Sequence, residues 1–164
     1  MTAVEIGSQR HKAFGSRPRR WLPGRELADL SLTVTATPEL LGQIRAWLRS
    51  LANLLGATEE EGEDVALAVH EACANVIAHA YPHSFGPVVL RVRARRSLHS
   101  VQLRVLVSDR GQGLGGRSAR AGLGAGLRLM EALTRRMRVR SDPNGATEVE
   151  LSFKLSGRNP TAAG

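Results

Sequence analysis

The chain has 164 residues, room for one domain with a full hydrophobic core and none for a second. Its 42% hydrophobic content and 17 glycines suit a globular protein with tight turns, and an aromatic content of only 4% argues against a base-stacking nucleic-acid surface. The formal charge of +8 is almost wholly arginine, since Lys12 and Lys154 are the only lysines, and such a field favours acidic partners or nucleotides.

From the N-terminus, "RHKAFGSRPRRWLPGR" (Arg10 to Arg25) lacks helical or strand periodicity and reads as part of a flexible basic leader, residues 1–29. "LSLTVTA", Leu30 to Ala36, alternates as a strand, and Thr37-Pro38 then opens a helix over "PELLGQIRAWLRSLANLL". The acidic run "TEEEGED" supplies a capping threonine, Thr58, and carboxylates for the positive end of a second helix that runs on through "VALAVHEACANVIAHAY". Beyond Tyr81-Pro82, "PVVLRVRARR" and "SVQLRVLVSD" predict an antiparallel pair. A glycine-rich loop follows, then a shorter amphipathic helix "GLRLMEALTRRM", the segment "RVRSD", a turn at Pro143-Asn144-Gly145 and the strand "TEVELSFKL". Residues 156–164 read as a disordered tail.

This order predicts an α+β two-layer sandwich, with helices on one face of a mixed, largely antiparallel sheet over residues 30–155. The sole cysteine, Cys73, excludes an intrachain disulfide, and no apolar run approaches the roughly 20 residues of a membrane span. With no apolar segment for a secretory signal, a cytoplasmic protein is the expectation.

The second helix carries the first chemical signal. At 100° per residue Val65, Val69, Ala72, Cys73, Val76 and Ala80 share one face, while Asp64, Glu71, Asn75 and His79 gather on the other. An ordinary solvated polar face would look the same, so the helix alone does not decide. Downstream, "VLVSDRGQGLGG" ends a strand with Asp109, and Gly111 to Gly116 spells G-x-G-x-x-G. A dinucleotide-binding reading with Glu131 as ribose ligand fails on context, because "RSARAG" intervenes before the helix and the strands are linked by hairpins. "GLGAGLRLM" places Gly122, Gly124 and Gly126 directly before a helix, where backbone N–H groups favour phosphate. No P-loop string is present.

Together, E-x-x-x-N on a helix, D-x-G-x-G after a strand, G-x-G-x-G before a helix and a final Gly-x-Thr hairpin resemble the GHKL ATPase superfamily and its Bergerat ATP-binding fold. The particular resemblance is to bacterial anti-sigma-factor serine kinases, through "AVHEACANVIAHAY", "VSDRGQG", "GLGAGLRLMEAL" and "GATEVELSF". It implies ATP and Mg²⁺ as cofactors, Glu71 as general base and Asn75 as a magnesium ligand. It further implies that Asp109 accepts a hydrogen bond from the adenine amine, with Gly111 and Gly113 beside the base and Thr147 supporting the same end. Gly122, Gly124, Gly126 and Leu127 would line the phosphates. The implied partners are a sigma factor and an anti-anti-sigma protein, and the implied assembly is a homodimer.

Leu114 to Ala121 is a short lid for such a kinase, and Arg117 and Arg120 are the cations within it that could reach phosphate. Two rival readings share the ATP site: a nucleotide-dependent partner-binding regulator without kinase activity, and a separated histidine-kinase-like catalytic domain. A nucleic-acid binder would explain the arginines and leave Glu71, Asn75, Asp109 and the glycines unexplained.

Overall fold

The computed structural model describes residues 5–6, 24–81, 83–111, 124–141 and 145–158. Along the chain lie β1 (Glu5–Ile6), β2 (Arg25–Thr35), α1 (Pro38–Leu54), α2 (Glu59–Asn75), β3 (Pro87–Arg96), β4 (Val101–Asp109), α3 (Ala125–Leu133), β5 (Arg136–Ser141) and β6 (Thr147–Leu155). The sheet order is β1-β2-β3-β4-β6-β5, and every described pairing is antiparallel. The described helices cover one face, which is the two-layer sandwich expected.

The core follows from two periodicities. Along β3 and β4 alternate residues are buried, with Val88, Leu90, Val92 and Ala94 facing inward beside Val101, Leu103, Val105 and Val107. Leu40, Ile44 and Leu48 of α1 join Val65, Val69 and Ala72 of α2 in the same cluster. Each such Val or Leu contributes roughly 1.5–3 kcal/mol on leaving water. Cys73 lies in this core, and burial pushes its thiol up to about 12, so it packs as an inert small residue.

Helix ends are set locally. Thr37 is extended and Pro38 opens α1, as its fixed φ allows. Gly56 ends the turn after α1 with φ +82°, a conformation that only glycine adopts without strain, and the Arg158 carbonyl approaches where its Cβ would be. Thr58 and Glu61 form a reciprocal capping box at the start of α2: Glu61 N–H donates to Thr58 Oγ1 at 3.2 Å and Thr58 N–H to Glu61 Oε2 at 2.8 Å. Glu63 of α2 ties back to α1, accepting from Arg49 at 2.7 Å and Arg45 at 3.3 Å.

Three boundaries differ from the sequence reading. The strand expected to start at Leu30 starts at Arg25, because β3 offers a partner along its whole length, from Arg25↔Arg96 to Thr35↔Pro87. A bulge between Glu26 and Ala28 breaks the alternation there, which concealed the strand from a period-two search. The third helix, expected to reach Met137, stops at Leu133. Thr134 turns extended and its hydroxyl donates to the Met130 carbonyl at 2.7 Å, while Arg135 N–H bonds Ser152 of β6 and commits Arg136 onward to the sheet. Finally, Ser156 to Arg158 are fastened to the body. Ser156 N–H and Oγ donate to Glu61, the hydroxyl at 2.7 Å, and Arg158 N–H donates to the Gly56 carbonyl at 2.8 Å. Of the expected Pro143-Asn144-Gly145 turn only Gly145 is described, with φ +93°.

Candidate functional site

The end of β4, the start of β6 and the C-terminal end of α2 meet at one edge of the sandwich. Asp109 is the last residue of β4, paired with Thr147 on one side and Val88 on the other. It is 5% exposed, a rare degree of burial for a carboxylate. Burial raises its pKa, and hydrogen bonds from the backbone of Gly111 and Thr147 oppose the rise. The Gly111 N–H donates to Oδ1 at 2.9 Å.

Gly111 is required by packing. A Cβ there would collide with the backbone carbonyl of Ala80 at the end of the α2 extension. That extension, Val76 to Ala80, is a π-helical turn continuing α2, a distortion of the kind that recurs at functional sites. It buries Val76 and Ala80 and leaves His79 exposed at the rim.

Sequence reasoning assigned no role to Tyr81, the residue that closes this corner. Its hydroxyl donates to the Pro87 carbonyl at 2.8 Å and accepts from Arg110 N–H at 3.1 Å, bridging the start of β3 to the residue after Asp109. The ring lies against Gly86, where any Cβ would overlap it. An aromatic five residues before a strand-leading glycine was the visible signal, but the contact itself is tertiary.

One turn and more back along α2, Glu71 faces α3. A Cβ built on Gly126 would stand 2.8 Å from Glu71 Oε2. Asn75 follows Glu71 by one helical turn on the same half-buried flank. Helix α3 begins after Gly124, which is exposed, extended and without a side-chain cap, and its first turn holds no acidic residue. Its first N–H groups and dipole therefore favour an anion. A Cβ on Gly124 would meet nothing within 4 Å, whereas one on Gly126 would displace the Glu71 carboxylate, the flexible end of a side chain. Leu127 packs against the hydrophobic core.

The structure thus brings together Asp109, Gly111 and Thr147 at one place, and Glu71 and Gly126 at another, with α2 spanning the two. From Glu71 to Ala80 the helix advances roughly 13 Å at about 1.5 Å per residue. Gly113, Arg117, Arg120 and Gly122 lie outside the described residues, as does the Leu114 to Ala121 segment.

Residues 34–153 match the family model described as the histidine kinase-like ATPase domain, the class that this fold and site define. The serine-protein kinase RsbW of Halalkalibacterium halodurans is 36% identical over 83 residues, 51% of this chain and 48% of that protein. RsbW of Bacillus licheniformis is 31% identical over 133 residues, 72% of this chain and 81% of that protein. The crystal structure of the RsbU and RsbW domains of Rv1364c from Mycobacterium tuberculosis superposes with a TM-score of 0.62 over 81% of this chain and 34% of that one, at 27% identity. With several curated relatives, the Halalkalibacterium and Bacillus subtilis proteins among them, the match spans about half of their length. The chain belongs to the histidine kinase-like ATPase domain family and, within it, to the group of proteins named serine-protein kinase RsbW. No described helix is long and apolar enough to cross a membrane.

Proposed function

We propose that this protein is a cytoplasmic ATP-dependent serine kinase and anti-sigma factor, which binds a sigma factor and phosphorylates a serine of an anti-anti-sigma protein. The observation that carries the reading is the placement of two carboxylates on either end of one helix flank. Asp109 is buried beside the π-turn, and Glu71 is set against the entrance of α3.

In this reading the adenine ring lies at the Asp109 end, where the carboxylate accepts a hydrogen bond from the exocyclic amine. Gly111 keeps the strand end close to Ala80 and Thr147 holds the other side of Asp109. The phosphates extend along α2 towards the N–H groups at the start of α3, near Gly124 and Gly126. Glu71, half-buried at that end, accepts the proton of the attacking serine hydroxyl as its oxygen bonds to the γ-phosphorus and ADP leaves. By the family likeness Gly113 and Gly122 would also border the nucleotide, and Arg117 and Arg120, the cations of the Leu114 to Ala121 segment, would be candidates for contact with the γ-phosphate.

Asn75 supplies an amide oxygen one turn from Glu71. No group of three His, Cys, Asp or Glu side chains able to hold a metal alone occurs among the described residues. That donor set fits Mg²⁺, a hard ion bound through one or two protein oxygens plus phosphates and water. The ion would neutralise charge on the β- and γ-phosphates. The functional unit is a homodimer by family likeness.

Calorimetry with ADP and GDP, and transfer from γ-labelled ATP to an anti-anti-sigma protein, test the assignment. Asp109→Ala should weaken ADP binding by roughly tenfold to a hundredfold, the cost of a lost hydrogen bond to a buried charge. Glu71→Ala should abolish transfer and spare ADP affinity, and Asn75→Ala should lose both. Equal affinity for GDP, or transfer at the wild-type rate without Glu71, removes the reading.

A further inference from the structure

The polar end of the nucleotide corner extends one strand beyond Thr147. On the helix-facing side of the sheet four strands meet in one register row: Ser141 of β5 is opposite Thr147 of β6, Thr147 opposite Asp109 of β4, and Asp109 opposite Val88 of β3. Alternate residues of a strand share a face, so the next row on this side is Val139, Val149, Val107 and Leu90, all packed in or against the core. The change from apolar to polar therefore falls at the same level on β5, β6 and β4, while Val88 on β3 stays apolar and fully buried.

The three polar residues are linked. The Asp109 carboxylate accepts hydrogen bonds from the backbone N–H of Thr147 as well as from that of Gly111. Thr147 Oγ1 in turn lies 3.5 Å from Ser141 Oγ, and either hydroxyl can be the donor. That separation is the outer limit for two hydroxyls, and a small rotation of the exposed serine side chain shortens it. A threonine hydroxyl carries one proton and two acceptor lone pairs. When Ser141 donates to Thr147, the single Thr147 proton is left to point away from β5, to the side on which Asp109 stands.

We propose that Ser141 is a positioning residue for base recognition that acts through Thr147: its hydroxyl donates to Thr147 Oγ1 and turns the Thr147 proton towards a ring nitrogen beside the adenine amine, N1 or N7. The inference rests on the nucleotide reading, in which Asp109 accepts from that amine. An ionised carboxylate can only accept, so it serves the amine and leaves the adjacent ring nitrogen, itself an acceptor, in need of a donor. A ring nitrogen that leaves water without one costs affinity. Thr147 is the hydroxyl next to Asp109 in the row, and Ser141 fixes which way its proton points. An apolar residue at 141 would continue the Met137 and Val139 row and leave that proton free to turn towards β5.

The test is calorimetry of the full chain with ADP, 1-deaza-ADP and 7-deaza-ADP, the two analogues each lacking one of the ring nitrogens beside the amine. Ser141→Ala should weaken ADP binding roughly three- to tenfold, and Ser141→Thr, which keeps a hydroxyl, should restore it. Against the analogue that lacks the contacted nitrogen, Ser141→Ala and wild type should bind alike. Thr147→Val should lose as much affinity with Ser141→Ala as without it, because the two hydroxyls act as one unit. Ser108→Ala removes a hydroxyl from the end of β4 on the opposite face, and should bind ADP as wild type does. Unchanged ADP affinity in Ser141→Ala, an equal loss for ADP and both analogues, or additive losses with Thr147→Val would each overturn the role of Ser141, while weaker ADP binding by Asp109→Ala would leave the nucleotide reading standing. A wild-type protein that binds GDP as tightly as ADP would end the nucleotide reading and the role of Ser141 with it.

Discussion

The Glu71 carboxylate rests against the backbone of Gly126: a Cβ at that glycine would lie 2.8 Å from Oε2. This contact joins the middle of α2 to the first turn of α3, and it makes the missing side chain at 126 a condition for where the carboxylate sits. The obstruction is the end of a flexible side chain, so the fold can accommodate a methyl group by moving Glu71. Gly126→Ala should therefore be as stable as wild type or more so, helped by up to about 1 kcal/mol of helix propensity, while phosphate transfer drops about tenfold or more from a displaced base. Gly111→Ala should behave oppositely, losing roughly 1–3 kcal/mol, because its Cβ meets the fixed carbonyl of Ala80. Thermal melts beside single-turnover transfer rates distinguish the two. An equally destabilised Gly126→Ala protein would contradict the geometry.

Tyr81→Phe keeps the ring against Gly86 and removes the hydroxyl that links Pro87 and Arg110. The expected loss is about 0.5–1.5 kcal/mol of stability, with a further weakening of adenine nucleotide binding as the segment after Asp109 loses its anchor. Calorimetric ADP affinity that matches wild type would show that Asp109 and Gly111 hold their positions without the tyrosine.

Asp109 has its pKa raised by burial. A raised folded-state pKa contributes stability that is complete below the ordinary aspartate value and is lost as pH rises through the raised one. The melting temperature of ligand-free wild type relative to Asp109→Asn should accordingly fall as pH climbs through that window. Adenine binding should run the other way, strengthening as the carboxylate ionises to accept the amine. A pH-independent difference between the two proteins would mean that Asp109 does not titrate as its burial requires.

Glu61 has the opposite sign. Burial works to raise its pKa, but hydrogen bonds from the Ser156 hydroxyl and from the N–H groups of Thr58 and Ser156, with the Arg158 charge nearby, hold it below the usual value. Its contribution is therefore present above the ordinary glutamate pKa and lost as pH falls through the lowered one. Glu61→Ala removes both half of the capping box and the fastening of Ser156, and should cost about 1–2 kcal/mol at neutral pH. Hydrogen exchange should speed up at Thr58 and Ser156 together; an effect confined to one of them would separate the cap from the tail.

The sequence by itself determined the elements whose signals are local. Strict alternation marked β3, β4 and β6, the Thr37-Pro38 pair marked the start of α1, and Thr58 with the acidic run after it marked the start of α2. It also placed Glu71, Asn75, Asp109 and the glycines in their order along the chain, because one helical turn and one strand end fix those spacings without reference to the rest of the molecule. Tertiary structure decided what depends on a distant partner. Arg25 to Asp29 became strand because β3 runs beside them, and Arg136 left the helix because Ser152 captured the preceding N–H. The same holds within the site: Gly111 is held to glycine by Ala80 and Gly86 by Tyr81, while the bare backbone at Gly126 decides where Glu71 sits. Close packing between segments far apart in sequence sets those relationships, and no local pattern carries that information.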